Sequence, residues 1–164
     1  MATLSMTPKS VIEPGNDVIE AEVFIAAPRQ RVFQAIIDPK QAVQWWGSCD
    51  RYKHEEFQMD VRVGGKWSSK GTSPTMGDFN VEGEYLEINP PRRLVYSWRP
   101  SWMSKVTKVA WELDELESGT LVRITHTGFA GDAEQAGKHS TGWAVALGWL
   151  QGYVEKGETV DTRR

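Results

Sequence analysis

The segment GWAVALGWLQGYV, residues 142–154, decides how this chain folds. Its large apolar residues follow one another at spacings of four, three and four: Trp143, Leu147, Leu150 and Val154. That spacing predicts an amphipathic helix, because such positions fall on one side of a helix with about 3.6 residues per turn. Asp132 lies ahead of the segment and is a candidate N-cap. The apolar stripe must then pack against a large apolar surface elsewhere in the chain.

The middle of the chain supplies that surface as a series of strands. Apolar and polar residues alternate there, which is the pattern of strands with one buried face. Gly64-Gly65 is typical of a hairpin turn, and Gly83 indicates a bulge or a close backbone approach. Short turns between the strands favour an antiparallel sheet. Each of four strands is expected to place one set of residues on a single face: Phe57, Met59, Val61 and Val63; Leu94, Tyr96 and Trp98; Val109, Trp111 and Leu113; Val122, Ile124 and His126.

Two short helices are predicted between the first strand, residues 18–26, and the rest of the sheet. Pro28 opens the first helix, Asp38-Pro39 separates the two, and Gly47 ends the second. The layout is α+β, with about six antiparallel strands and one long C-terminal helix. We predict three parts: a flexible tail over 1–17, one domain over 18–157 and a second tail over 158–164.

Composition excludes several classes of function. The 164 residues carry a net charge of -3 with scattered Lys and Arg, which argues against a nucleic-acid partner. We find neither an apolar run of membrane-spanning length nor a secretory signal, so we expect a cytoplasmic protein. Cys49 is the only cysteine and the three histidines lie in different elements, so we predict no metal site. GGKWSS lacks the spacing of a phosphate loop, and we predict no cofactor.

Six motifs, taken in order, resemble the helix-grip (START-like, SRPBCC) superfamily. They are IAAPRQRVFQAIIDP, QWWG, DVRVGGKW, VEGEYLEINPPRRLVYSW, SGTLVRITHTGF and TGWAVALGWL, and they span about residues 20–156. Within that superfamily the match is to the AHSA-like branch, which is similar to activators of a heat-shock-protein ATPase. The resemblance implies a curved sheet that grips the C-terminal helix, with an apolar tunnel between them.

The tunnel gives a hypothesis for the tryptophan pair of QWWG. Neighbouring residues point in different directions, so Trp45 and Trp46 cannot fill one packing site. We expect Trp45 to face the tunnel mouth and Trp46 to anchor the short helix, while Gly47 lets the chain turn away. The alternative is that both rings pack under the sheet. We predict that these residues bind the ligand: Trp45, Trp67, Tyr96, Trp98, Trp111, His126, Trp143 and Leu147.

Candidates for chemistry have plain structural alternatives. His126 could orient a ligand oxygen or shuttle a proton, or could be a core histidine satisfied by a neighbouring hydroxyl or carbonyl. Glu82 and Glu84 flank Gly83 and could form an acid pair, or could lie on a solvated outer face. Cys49 would need an electropositive setting to be reactive.

Three functions fit these observations. We favour a binding module for a small hydrophobic ligand, lipid-like or aromatic, because apolar pockets with a few polar groups are typical of small-molecule sites. A cyclase, dehydratase or hydrolase in the same tunnel is the alternative, although no spacing of residues demands catalysis. A chaperone ATPase co-regulator with a role in stress is the third. Trp149 or a free sheet edge could support a homodimer.

Overall fold

A computed structural model describes residues 7–13, 15 and 17–163 of the chain. Two strands and two short helices come first, six strands follow, and the longest helix comes last. The elements are β1 (Lys9–Ile12), β2 (Val18–Ile25), α1 (Arg29–Ile37), α2 (Pro39–Trp45), β3 (Lys53–Met59), β4 (Lys66–Ser73), β5 (Gly77–Asn89), β6 (Arg93–Pro100), β7 (Thr107–Leu116), β8 (Gly119–Thr127) and α3 (Ala133–Lys156).

The strands form one curled antiparallel sheet, as the sequence predicts, but it has eight strands rather than about six. Their order is β1-β2-β8-β7-β6-β5-β4-β3, so β1 and β3 are the edges. Helix α3 packs against β1 and β2 on the inner face, and α2 packs against β3. Asp132 caps α3 by accepting from the backbone N–H of Gln135 at 3.2 Å, which confirms the predicted N-cap. Within the described part of the chain, no helix has the length and apolarity that a bilayer crossing needs.

Strand β1 lies inside the segment predicted as an N-terminal tail. It pairs with β2 from Lys9 opposite Glu22 to Ile12 opposite Ile19, and the hydroxyls of Ser10 and Ser140 lie 2.8 Å apart. Its strand partner β2 follows directly in the chain, but β1 has only four residues and none of them is buried, so its pattern was too short to reveal it. Residues 1–6, 14 and 16 of that segment lie outside the described residues.

The C-terminal segment predicted as a second tail is also packed, and we call residues 158–163 the C-terminal strap. Val160 is buried and its N–H donates to the carbonyl of Gln44 at 2.8 Å. The guanidinium of Arg163 donates to the carbonyls of Trp45 at 3.1 Å, Gly47 at 2.6 Å and Trp149 at 3.2 Å. These bonds tie the end of α2 to α3.

The prediction that Val61 and Val63 continue the inward face of β3 is wrong. The strand ends at Met59, and residues 60–65 form a turn in which Gly64 has φ of 85°. Val61 and Val63 are 39% and 66% exposed. Alternation continues through the turn in the sequence, so the pattern alone extended the strand too far. The inward faces predicted for β6, β7 and β8 are all buried.

Gly83 marks a close backbone approach, as predicted. A Cβ atom at this position would lie 1.8 Å from the carbonyl oxygen of Ser97 and 2.5 Å from Nε1 of Trp67. The indole N–H of Trp67 donates across this gap to the same carbonyl at 3.3 Å. Glycine at position 83 therefore allows both β5 and the indole of Trp67 to approach the backbone of β6 closely.

We predict that Gly83→Ala lowers the free energy of unfolding by about 1–3 kcal/mol, because the added methyl overlaps backbone that cannot move aside freely. Urea unfolding measures this change. Gly148→Ala is the matched control, since its Cβ would meet only Pro8, at 3.5 Å, and the expected loss is nil. Equal stability of the Gly83→Ala variant and the unaltered protein would contradict the close approach.

Candidate functional site

Rings fill the space between the sheet and α3 and touch one another in a continuous chain. Trp98 is central: its ring centroid lies 6.1 Å from Trp46, 5.7 Å from Trp67 and 5.9 Å from Trp143. We call ten of these connected rings, those around Trp98, the aromatic cluster. Its members are Trp46, His54, Phe57, Trp67, Tyr96, Trp98, Trp111, His126, His139 and Trp143.

The two rings of QWWG have the opposite roles to those expected. Trp45 is fully buried, and its indole N–H donates to the carbonyl of Ala35 in α1 at 2.8 Å. Trp45 is thus the anchor that joins the two short helices. The ring of Trp46 stacks on that of Trp45 with centroids 4.9 Å apart, and it also contacts Trp143 and other members of the aromatic cluster. Gly47, at φ of 139°, allows the sharp turn that follows.

His126 has both ring nitrogens occupied by the protein. The indole N–H of Trp143 donates to its Nδ1 at 2.9 Å, so the proton of the neutral ring is on Nε2. That proton is donated to Oγ1 of Thr107 at 2.7 Å, and the Thr107 hydroxyl donates to the carbonyl of Trp98 at 3.1 Å. Burial, with the nearby His139 ring, lowers the pKa of His126 well below its usual value. The arrangement supports the structural alternative stated for this histidine.

His139 is a member of the cluster that sequence reasoning missed. Its Nδ1 donates to the carbonyl of Gln135 at 2.9 Å, so Nε2 is free to accept the indole N–H of Trp98 at 3.2 Å. Burial lowers the pKa of this ring as well. The signal was available, because His139 precedes Trp143 by four residues and therefore shares its helix face.

His54 was also missed, and it lies at the opposite side of Trp46. Its Nδ1 is 2.9 Å from the hydroxyl of Ser69, and its ring is packed against Phe57 at 4.9 Å between centroids. Burial lowers its pKa to about 3. All three histidines are consequently neutral at pH 7.

Tyr96 combines a buried ring with a donor that the protein does not use. Its hydroxyl oxygen accepts the indole N–H of Trp111 at 2.9 Å. Within the described residues no oxygen or nitrogen accepts the hydroxyl proton of Tyr96. Burial also raises the pKa of this phenol, so it stays protonated. The hydroxyl can therefore give one more hydrogen bond.

The structure brings most of the predicted binding residues together. Six belong to the aromatic cluster: Trp67, Tyr96, Trp98, Trp111, His126 and Trp143. Trp45 lies behind Trp46, and Leu147 is buried one turn along α3 from Trp143. None of the eight is more than 8% exposed. The rings themselves occupy the space where the resemblance implied a tunnel.

Two surface grooves found among the described residues lie on the outer face of the sheet. The larger, of about 780 Å³, has Trp67 at its edge, and the smaller, of about 320 Å³, is formed by β1, β2 and β8. Glu82 pairs with Arg99 and Glu84 with Lys66 in the larger groove. Their half-exposed ion pairs support the solvated-face alternative for the two glutamates.

A curled antiparallel sheet closed over a long C-terminal helix, with two short helices after β2, defines a helix-grip protein. The chain belongs to the family of Activator of Hsp90 ATPase homolog 1-like proteins, whose model matches residues 26–155. This match confirms the branch indicated by the sequence motifs. A search of curated protein sequences finds no match.

Solved structures with the same fold come from several bacteria. Protein CV1439 from Chromobacterium violaceum is 26% identical with a TM-score of 0.76, over 85% of this chain and 98% of that chain. The AHSA1-like protein from Aeromonas hydrophila is 20% identical with a TM-score of 0.71, over 85% and 93%. DynU16, from the dynemicin biosynthetic locus, is 19% identical with a TM-score of 0.74, over 88% of this chain and 49% of DynU16.

The buried histidines predict a loss of stability in acid. The unfolded chain takes up protons on histidine below about pH 6.5 while the folded rings resist protonation, so the free energy of unfolding falls as the pH falls. His54 alone, with its folded pKa of about 3, accounts for about 2 kcal/mol between pH 7.5 and pH 5. Urea unfolding at the two pH values measures the effect.

The matched variant is His54→Gln, whose side chain is neutral at both pH values. We expect it to lose less stability than the unaltered protein over this interval, by about 2 kcal/mol. The same pH dependence in both proteins would show that His54 is not held neutral by burial.

Proposed function

We propose that the protein binds a small, uncharged hydrophobic molecule, lipid-like or aromatic, between the sheet and α3. The observation that carries the proposal is the aromatic cluster, in which indoles from β4, β6, β7, α3 and the residue that follows α2 converge. Flat rings in such contact present an apolar surface that a planar or aliphatic ligand could share. Membership of the helix-grip fold is consistent with this use.

The electrostatics of the cluster favour a ligand without charge. Every member is uncharged at neutral pH, because burial lowers the pKa of His54, His126 and His139 and raises that of Tyr96. A buried ion needs a partner of opposite charge or several hydrogen bonds. The cluster offers neither, so a carboxylate or sulfonate on the ligand would lose its hydration without replacement.

The cluster also favours binding over turnover. A catalytic histidine needs a nitrogen that can reach the substrate, whereas Trp143 and Thr107 occupy both nitrogens of His126.

The enzyme alternative and the chaperone-regulator alternative are each favoured by a different experimental result. A bound molecule recovered chemically altered would favour the first, and capture of a chaperone ATPase from cells would favour the second.

Two dyes with one skeleton and different charge test the proposal. N-phenyl-1-naphthylamine is neutral, and 8-anilinonaphthalene-1-sulfonate carries a sulfonate on a similar ring system. We expect saturable binding of the neutral dye at pH 7.5, measured by its fluorescence, and affinity for the anionic dye at least about 10-fold weaker. Equal or stronger binding of the sulfonate, or no saturable binding of the neutral dye, would contradict the proposal.

The unused proton of Tyr96 predicts a preference for ligands that carry an acceptor. Nile red is neutral and has a carbonyl, whereas N-phenyl-1-naphthylamine has no oxygen. We expect Tyr96→Phe to weaken binding of Nile red by about 2- to 10-fold, the value of one hydrogen bond, and to leave binding of the naphthylamine unchanged.

The control is Tyr153→Phe, whose hydroxyl donates to Gln41 at 3.2 Å rather than into the cluster. It removes the same atom and should bind both dyes as the unaltered protein does. If Tyr96→Phe weakens both dyes equally, the hydroxyl supports the packing of the cluster and does not contact the ligand.

A further inference from the structure

The two halves of α3 are held to the body in different ways. In the half that comprises residues 143–156, large side chains are buried against the sheet, including Trp143, Leu147, Trp149 and Leu150. In residues 133–142 the fully buried residues are Ala136 and Ser140, and the one large ring packed inward is that of His139, against Phe129 and His126. Segments with few buried apolar contacts open locally at low free energy.

Polar bonds made by residues 149–155 add to the anchorage of the second half. The Gln151 amide donates to the carbonyl of Phe24 at 2.8 Å, and a carboxylate oxygen of Glu155 accepts the backbone N–H of Ala26 at 2.8 Å. Arg163 of the C-terminal strap bonds the carbonyl of Trp149. This half of the helix is therefore fixed to β2, to the loop after it and to the strap.

Among the residues that the structure describes, three side-chain hydrogen bonds connect the first half to the body of the protein. Trp98 donates to His139 at 3.2 Å, and the hydroxyl of Ser140 meets that of Ser10 at 2.8 Å. The exposed indole of Trp102 donates to Gln135 at 3.1 Å. Each bond can be exchanged for a bond to water, so breaking them is far less costly than exposing a large apolar side chain.

Gly137 and Gly142 weaken the first half from within. A Cβ atom at either position would meet nothing within 4 Å, so packing gives no reason for a glycine there. Glycine is the least favourable residue in a helix interior apart from proline. Gly128 and Gly131, at φ of 112° and 82°, lie in the loop that precedes the helix. Glycine thus lies on both sides of the segment.

We propose that residues 133–142 form a lid over the aromatic cluster, which opens by bending α3 near Gly142 while residues 143–156 stay in place. Opening withdraws His139 from Trp98 and uncovers the N–H edge of the central indole. The inference that the lid opens rests only on the residues of α3 and their contacts. Its use as the access route for a ligand rests on the proposed function.

Amide hydrogen exchange of the protein without added ligand tests the lid. We expect peptides covering 133–142 to exchange faster than peptides covering 146–154. Replacing both glycines, Gly137→Ala with Gly142→Ala, should slow exchange of the first half by about fivefold for each substitution. The second half should be unchanged.

Gly148→Ala is the control, because it makes the same replacement in the anchored half, where its Cβ has room. It should leave exchange of 133–142 as it is in the unaltered protein. Exchange of 133–142 as slow as that of 146–154, or an unchanged rate in the double variant, would overturn the lid.

Stopped-flow mixing with N-phenyl-1-naphthylamine then tests the access route. If the dye enters under the lid, its association rate falls in the double variant by the same factor as the exchange rate. An unchanged association rate would show that the dye enters elsewhere. A protein that never binds the dye would refute the proposed function, while the exchange result would still decide whether the lid opens.

Discussion

The hydrogen bond from Trp143 to His126 ties the long helix to the sheet at the centre of the molecule. A buried indole N–H and a buried imidazole each need a partner, and here they satisfy one another at 2.9 Å. The bond requires a neutral histidine with its proton on Nε2, and the hydroxyl oxygen of Thr107 accepts the hydrogen bond from that N–H. These linked hydrogen bonds therefore fix the position of α3 and the tautomer of His126 together. They also fix the contact between the Thr107 hydroxyl and the carbonyl of Trp98.

The same bond explains why the interior excludes charge. Protonation of His126 would place two N–H donors against each other at Trp143, in surroundings with little water to compensate. His139 accepts from Trp98 in the same way, so two histidines serve as acceptors for two indoles. An interior of this kind suits an uncharged ligand and disfavours one that must bring its own counter-ion.

Local pattern predicted the parts of the fold that depend on alternation and helical spacing. The inward faces of β6, β7 and β8 and the stripe of α3 follow from periods of about two and 3.6 residues. Strand β1 was missed because it has only four residues and none of them is buried. The C-terminal strap was missed because its partners are distant in sequence: Arg163 reaches Trp45. The roles of Trp45 and Trp46 were exchanged because the acceptor of each indole is set by tertiary structure.

A closed interior changes how affinity should be understood. A ligand that enters only an open state binds with an apparent affinity reduced by the fraction of open molecules. The free energy of interaction between the ligand and the aromatic cluster must therefore exceed the free energy of opening. This balance differs from that of a preformed pocket, where the space exists before the ligand arrives.

The indole N–H signals of the tryptophans, of which the chain has 8, allow the most direct test of the central claim. The measurement is a nitrogen–proton correlation spectrum recorded during titration with N-phenyl-1-naphthylamine. We predict that the signals of Trp98 and Trp143 shift in a saturable way, while that of Trp149, in the anchored half of α3 and outside the aromatic cluster, changes least. A shift confined to Trp102, or signals that do not move, would contradict binding within the aromatic cluster.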